Sequence, residues 1–259
     1  MPLFSWDHQD GIAKIHLDHP KHNTLTFDLL NDLSSVINNM SAAPRGVRPR
    51  VVVIGSAVEA QFSQGIDPIA IVNGSMEDRK KIFLALGNLV EAIWYSYIPV
   101  ICDVSGPAIA GGAVLAMLGD FILMDVDRAK ICFSEVKVGL PIPAFIQRLV
   151  QVKTSPSNWT DMLLLGRNYN ATDALKIGVA NGLYRDSAER EDLMTQYTQK
   201  ITRLSPEVLS ESLRQSRMGE RWLLEAFRQD MASFSTFLTD DYLGGALKSV
   251  LAGEAPKFK

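Results

Sequence analysis

Residues 99–114 read Pro99-Val100-Ile101-Cys102-Asp103-Val104-Ser105-Gly106-Pro107-Ala108-Ile109-Ala110-Gly111-Gly112-Ala113-Val114. The run at 100–104, partly β-branched and apolar but for Asp103, has the character of a buried strand of a parallel sheet. Ser105-Gly106-Pro107 ends it, and the small residues that follow bring a glycine pair to the start of a helix whose apolar residues stop near Asp120. Upstream, RPRVVVIGS repeats the strand signature at Val51–Ile54. Between the two strands, residues 78–97 place Ile82, Leu86, Leu89 and Ile93 on one helical face, with Pro99 marking the end. Strand, crossover helix and strand predict an α/β fold.

The flanks extend this pattern. Leu3–Asp7 and Ile12–Leu17 read as a hairpin about Asp10-Gly11. Thr26 can cap a helix carrying Leu30, Leu33, Ile37 and Met40, which runs out before Ala43-Pro44. Phe121–Met124 and Lys130–Phe133 supply short strands. Beyond Pro143 the pattern is mostly helical, at about 144–151, 156–165, 172–177, 187–203, 205–216 and 219–238, with one last strand-like piece at Gly178–Tyr184. The predicted division is a core over 1–200 and a helical region over 201–259.

Composition narrows the class. The 259 residues are 47% hydrophobic and 21% charged, with a formal net charge of −3. That excludes a disordered or collagenous chain, and no global field draws it to nucleic acid or to an anionic membrane. Cys102 and Cys132 both sit in apolar runs, as small buried thiols rather than a disulfide framework. With no signal-like N-terminus and no membrane-length apolar run, the expected location is cytoplasmic.

Three segments can carry chemistry. Phe62-Ser63-Gln64-Gly65-Ile66-Asp67-Pro68 follows the first buried strand, and Asp67 and Pro68 suit the N-cap and first position of a helix. Gly106–Ala113 follows the second. Each alone fits ordinary loop punctuation or close helix packing. Together, two such turns can each give one N–H to a single oxygen, the arrangement of an oxyanion hole. The third segment, Phe133–Pro141, holds Glu135 among apolar neighbours, where desolvation would raise its pKa toward the range useful for proton transfer; a surface pair with Lys137 is the plainer alternative.

FSQGID, GPAIAGGAVLAMLGD, FSEVKVGLPIPAFIQRL and LLGRNYNATDALKIGVANGL, in that order, resemble the motifs of the crotonase superfamily of enoyl-CoA hydratases and isomerases. The resemblance runs from PKHNTL at 20–25 to the closing GGALKSVLAGEAPKF. It implies a spiral of ββα units with a helical C-terminal region that mediates homotrimers or dimers of trimers. It also implies that the amides of Gln64 and Gly111 hold a thioester oxygen while Glu135 relays a proton. Gly65, Ile66, Asp67, Leu140 and Pro141 would border the substrate, and Lys21 would approach a phosphate of CoA unless it is simply solvated.

Val114 stands where two-carboxylate hydratases carry a glutamate, which points away from hydration and toward double-bond isomerisation of an enoyl-CoA by a single glutamate base. Hydratase or decarboxylase activity, or a noncatalytic paralogue that binds acyl-CoA or acyl carrier protein, are the alternatives. No cofactor is implied beyond the coenzyme A of the substrate. A metal site at His8, His16, His19 and His22 is disfavoured, because strand alternation and Pro20 would scatter the rings.

Overall fold

The computed structural model describes residues 3–20, 22–217 and 221–256. The hairpin is β1 (Phe4–Gln9) and β2 (Ile12–Leu17), with Phe4 opposite Leu17 and Gln9 opposite Ile12. Asp10 and Gly11 have φ of 53° and 78°, as a two-residue type I′ turn demands. The chain continues through β3 (Thr24–Leu25), α1 (Phe27–Ala42), β4 (Val51–Ser56), β5 (Gly65–Ile66), α2 (Pro68–Asn73), α3 (Met76–Trp94), β6 (Val100–Val104), β7 (Pro107–Ile109), α4 (Gly111–Met117), β8 (Phe121–Asp125) and β9 (Lys130–Cys132). A 3-10 turn at Glu135–Val138 leads to α5 (Ala144–Gln151), α6 (Pro156–Leu164), β10 (Tyr169–Asn170), α7 (Ala171–Lys176) and β11 (Gly182–Tyr184). Helices α8 (Ser187–Thr202), α9 (Pro206–Arg217), α10 (Arg221–Gln229), α11 (Met231–Ser235) and α12 (Gly245–Leu251) complete it.

The main sheet has the order β1-β2-β4-β6-β8-β11, parallel from β2 onward. Its strands β4, β6 and β8 are covered on both sides, whereas β1 at the edge is mostly exposed. Val52 and Ile54 of β4 point into the large core, while Val51 and Val53 pack with Ile101, Leu123, Tyr184 and Ile201 beneath α8. Two small sheets, β10-β9-β7 and β3-β5, stand beyond the ends of the main strands and are tied together by a bridge between Ser63 and Ala108.

Two expected helices differ in the structure. α3 begins at Met76 because Ser75 and Asp78 cap each other reciprocally: the Ser75 amide donates to Asp78 Oδ2 (3.1 Å), and the Asp78 amide donates to Ser75 Oγ (3.2 Å). It stops at Trp94, short of the expected Tyr97, which takes φ of 52° ahead of Pro99. The stripe over 219–238 is broken at Asp230 into α10 and α11, followed by a 3-10 turn at Thr236–Leu238 and a π-helical turn at Asp240–Gly244.

The C-terminal region shares the core of residues 1–200. Phe227 lies 5.1 Å, ring to ring, from both Phe145 and Phe234, and Phe234 lies 5.4 Å from Phe83. These two aromatics therefore pack within their own chain, whereas Trp222 is 65% exposed. Arg217 fastens α9 to the core, donating to the Trp94 carbonyl (2.7 Å) and pairing with Asp120. No described helix is long and apolar enough to cross a membrane.

Candidate active site

The loop between β4 and β5 is held by a buried asparagine. Asn23 takes φ of 46°, a conformation asparagine tolerates. Its amide nitrogen donates to Ser56 Oγ (2.8 Å) and to the Phe62 carbonyl (3.0 Å), while its own carbonyl accepts from Ser63 Oγ (2.7 Å). Ser63 Oγ in turn accepts from the Gly65 amide at 3.2 Å. Asp67 caps α2 through the Ile69 amide (2.9 Å), as its sequence position suggested.

In this framework the Gln64 amide is already engaged, because it donates to the His22 carbonyl at 3.0 Å. Successive strand amides face opposite sides. The Asp67 amide faces β3 and donates to Leu25 O (3.3 Å), so the Ile66 amide faces the other way, toward α4. A Cβ placed on Gly111 would lie 3.4 Å from the Ile66 nitrogen, and one on Gly65 would lie 2.8 Å from the Gly111 nitrogen. At Gly65, whose φ is 82°, only glycine allows the two turns to approach this closely. Gly112 serves the same approach: a Cβ there would collide with the Ser63 carbonyl.

Gly111 opens α4, so its N–H has no partner within the helix. Ala110 aims it from an unusual conformation, φ 50° and ψ −122°, which costs an alanine about 1–3 kcal/mol. The flanking bonds hold that geometry: the Ala110 amide donates to Cys132 O (2.8 Å), and its carbonyl accepts from the Val114 amide (3.0 Å).

Across from these amides Glu135 starts the 3-10 turn. It is 7% exposed, and its Oε2 has no hydrogen-bond partner. Burial pushes its pKa from 4.5 up to about 7, with only its own backbone amide working the other way. Lys137 is exposed, and the expected surface alternative for Glu135 does not occur. Between amides and carboxylate lies a cavity of about 80 Å³, bordered by Ile66, Gly111, Glu135 and Leu140 and closed by Leu243 and Leu247 from the C-terminal region. Glu135 is the one polar side chain among its described lining residues. A wider groove of about 710 Å³ opens at the opposite ends of the strands, near Gly11, Arg50 and Pro99, and contains none of this constellation.

The family model for enoyl-CoA hydratase/isomerase matches residues 7–246. The chain belongs to the enoyl-CoA hydratase/isomerase family. It is similar to carnitinyl-CoA dehydratase of Escherichia coli (strain K12), 31% identical over 76% of this chain and 73% of that protein. It is also similar to the peroxisomal enoyl-CoA delta isomerase 1 of Arabidopsis thaliana, 28% identical over 72% of this chain and 77% of that protein. In fold it resembles human mitochondrial delta3-delta2-enoyl-CoA isomerase, with a TM-score of 0.88 at 18% identity, covering 97% of this chain and 98% of that one. The crotonase fold expected from the motifs is the fold observed.

Within this member of the enoyl-CoA hydratase/isomerase family, the cavity gathers Ile66, Gly111, Glu135 and Leu140, but not every residue expected to border it. Gln64 is corrected: its amide is spent on His22, and its side chain turns to Gln61 (3.1 Å) rather than narrowing the cavity. Gly65 and Asp67 are structural, one allowing the close approach and the other capping α2. Val114 is fully buried in the core, and neither it nor Pro141 borders the cavity. Lys21 lies outside the described residues. Among the described residues, no group of three histidines, cysteines or carboxylates could hold a metal, and His19 instead meets Thr24 Oγ1 at 3.1 Å. The distal wall formed by Leu243 and Leu247 had only an i, i+4 apolar spacing as a sequence signal.

Proposed function

We propose that this protein processes acyl-CoA thioesters through an enolate, and that its reaction is the movement of an enoyl-CoA double bond with Glu135 as the single base. The observation that carries the reading is the pairing of two unengaged amides, Ile66 and Gly111, with one desolvated carboxylate across an otherwise apolar cavity. Glu135 removes a proton from C2 of a 3-enoyl thioester, the electron pair shifts toward the thioester oxygen, and the two amides stabilise the charge that develops there. Collapse of the dienolate takes the proton back from Glu135 at C4, leaving the double bond between C2 and C3. Atoms balance with no other reactant.

Hydration would require a second group to handle water, and among the described residues no further acid borders the cavity. The test is a panel of 3-enoyl-, 2-enoyl- and carboxyacyl-CoA substrates scored separately for isomerisation, hydration and decarboxylation. Isomerisation faster than the other two supports the proposal, and dominant hydration refutes it. Measurable turnover that is unchanged in Glu135→Gln would place the catalysis elsewhere, and no turnover by wild type of any substrate in the panel would favour a noncatalytic acyl-CoA- or acyl-carrier-binding role. Assembly as a trimer or a dimer of trimers belongs to the same reading and is checked by sedimentation equilibrium.

A further inference from the structure

Arg79 of α3 is 5% exposed, yet it is not part of the constellation just described. Its Nε donates to the Ile71 carbonyl (2.7 Å) and one terminal nitrogen to the Leu238 carbonyl (2.6 Å). The other terminal nitrogen reaches the Val72 carbonyl (3.4 Å) and Asp240 Oδ1 (2.7 Å). One rigid fork thus joins the end of α2 to the start of the π-helical turn. Both ends matter for the cavity, because Ile71 borders it on one side, and Leu243 within the turn and Leu247 just after it close it on the other. Gly244 packs against the same fork: a Cβ there would lie 3.2 Å from an Arg79 terminal nitrogen and collide with Asp240. Lys248 of α12 adds a second hold on Asp240 at 3.1 Å.

If Arg79 served stability alone, a well-packed apolar side chain would do as well, since burying a guanidinium carries a desolvation cost that its bonds only offset, and its carboxylate partner Asp240 is itself exposed. What an apolar residue cannot do is fix the register of two segments through four directed bonds. The registered wall leaves about 80 Å³, roughly half the ~150 Å³ cavity that accepts benzene, so only about three or four carbons beyond the carbonyl fit without displacing it.

Resting on the acyl-CoA reading above, we infer that Arg79 is a positioning residue that sets the acyl-chain length by locking the Leu243/Leu247 wall, and that the ligand class is a short, unsubstituted acyl chain. A charged or hydroxylated acyl group would find no partner on that wall.

The test titrates wild type, Arg79→Met, Asp240→Asn and Leu243→Ala with saturated butanoyl-, hexanoyl-, octanoyl- and decanoyl-CoA, which bind without reacting. Hydrogen exchange of residues 240–251 is followed in the unliganded proteins. The expected result is a rise of about tenfold or more in the octanoyl-to-butanoyl affinity ratio for Leu243→Ala and Arg79→Met, and a smaller rise for Asp240→Asn. Faster exchange of 240–251 in Arg79→Met is also expected. Leu243→Ala and Asp240→Asn keep the test intact should Arg79→Met fold poorly. Affinity profiles that run parallel to wild type at every chain length would overturn this inference alone. A wild type that binds none of the four thioesters would overturn the acyl-CoA reading with it.

Discussion

Replacing Glu135 by glutamine separates the chemistry of the carboxylate from its cost to the fold. With a pKa of about 7, the ionised fraction of Glu135 is ~1% at pH 5 and ~90% at pH 8, so kcat/KM for a base-catalysed reaction rises about 90-fold over that interval. A carboxylate at its ordinary 4.5 would be ~75% ionised at pH 5, and the rise would be below about 1.5-fold. The same displacement fixes a stability effect of definite sign. The folded state holds this proton more tightly than the unfolded chain, so stability is withheld as pH climbs past 4.5 and the loss levels off above about 7. The penalty is about 1 kcal/mol at pH 5 and about 3 kcal/mol at pH 8. Glu135→Gln therefore lowers turnover by about 10²–10⁴-fold while making the protein more stable, by about 2 kcal/mol more at pH 8 than at pH 5. Activity profiles from pH 5 to 8 and urea denaturation at the two ends measure both effects. A flat wild-type activity profile together with equal stability changes at both pH values would refute the reasoning.

Gly112→Ala, whose new methyl collides with the Ser63 carbonyl, is expected to lower stability by about 1–3 kcal/mol and to reduce kcat more than KM as the two turns part; denaturation and steady-state kinetics check both. Asn23→Ala leaves the Phe62 carbonyl and the His19 amide without their buried partner and should cost about 3 kcal/mol by denaturant melting. Val114→Glu puts a carboxylate into a site that is 0% exposed. It is expected to destabilise the protein by several kcal/mol at pH 8 and less at pH 5, and to confer no hydratase activity; melting at the two pH values and a hydration assay decide the point.

The main sheet and its crossover helices were legible because burial on both faces leaves continuous apolar runs such as Val51–Ile54 and Val100–Cys102, and amphipathic helices leave period-3.6 stripes. Caps were legible too: Thr26 and Asp67 do what their positions imply. The first of the two amides proposed to hold the thioester oxygen was not. Gln64 and Ile66 flank the same glycine, and only the pairing of β5 with β3 decides which amide is consumed and which is left facing α4. Glu135 could be singled out as a carboxylate among apolar neighbours, but the cavity it faces is closed by Leu243 and Leu247, more than a hundred residues away in sequence. Long-range closure of this kind leaves no local signature. The break at Asp230 escaped for the opposite reason, since the apolar stripe continues across it while the backbone does not.

The function proposed for the cavity rests on where a bound thioester puts its oxygen. A crystal structure with butanoyl-CoA bound should place the carbonyl oxygen about 2.7–3.1 Å from the nitrogens of both Ile66 and Gly111, with C2 facing the Glu135 carboxylate. A carbonyl that instead accepts from Gln64, or that lies beyond hydrogen-bonding reach of Gly111, would contradict it.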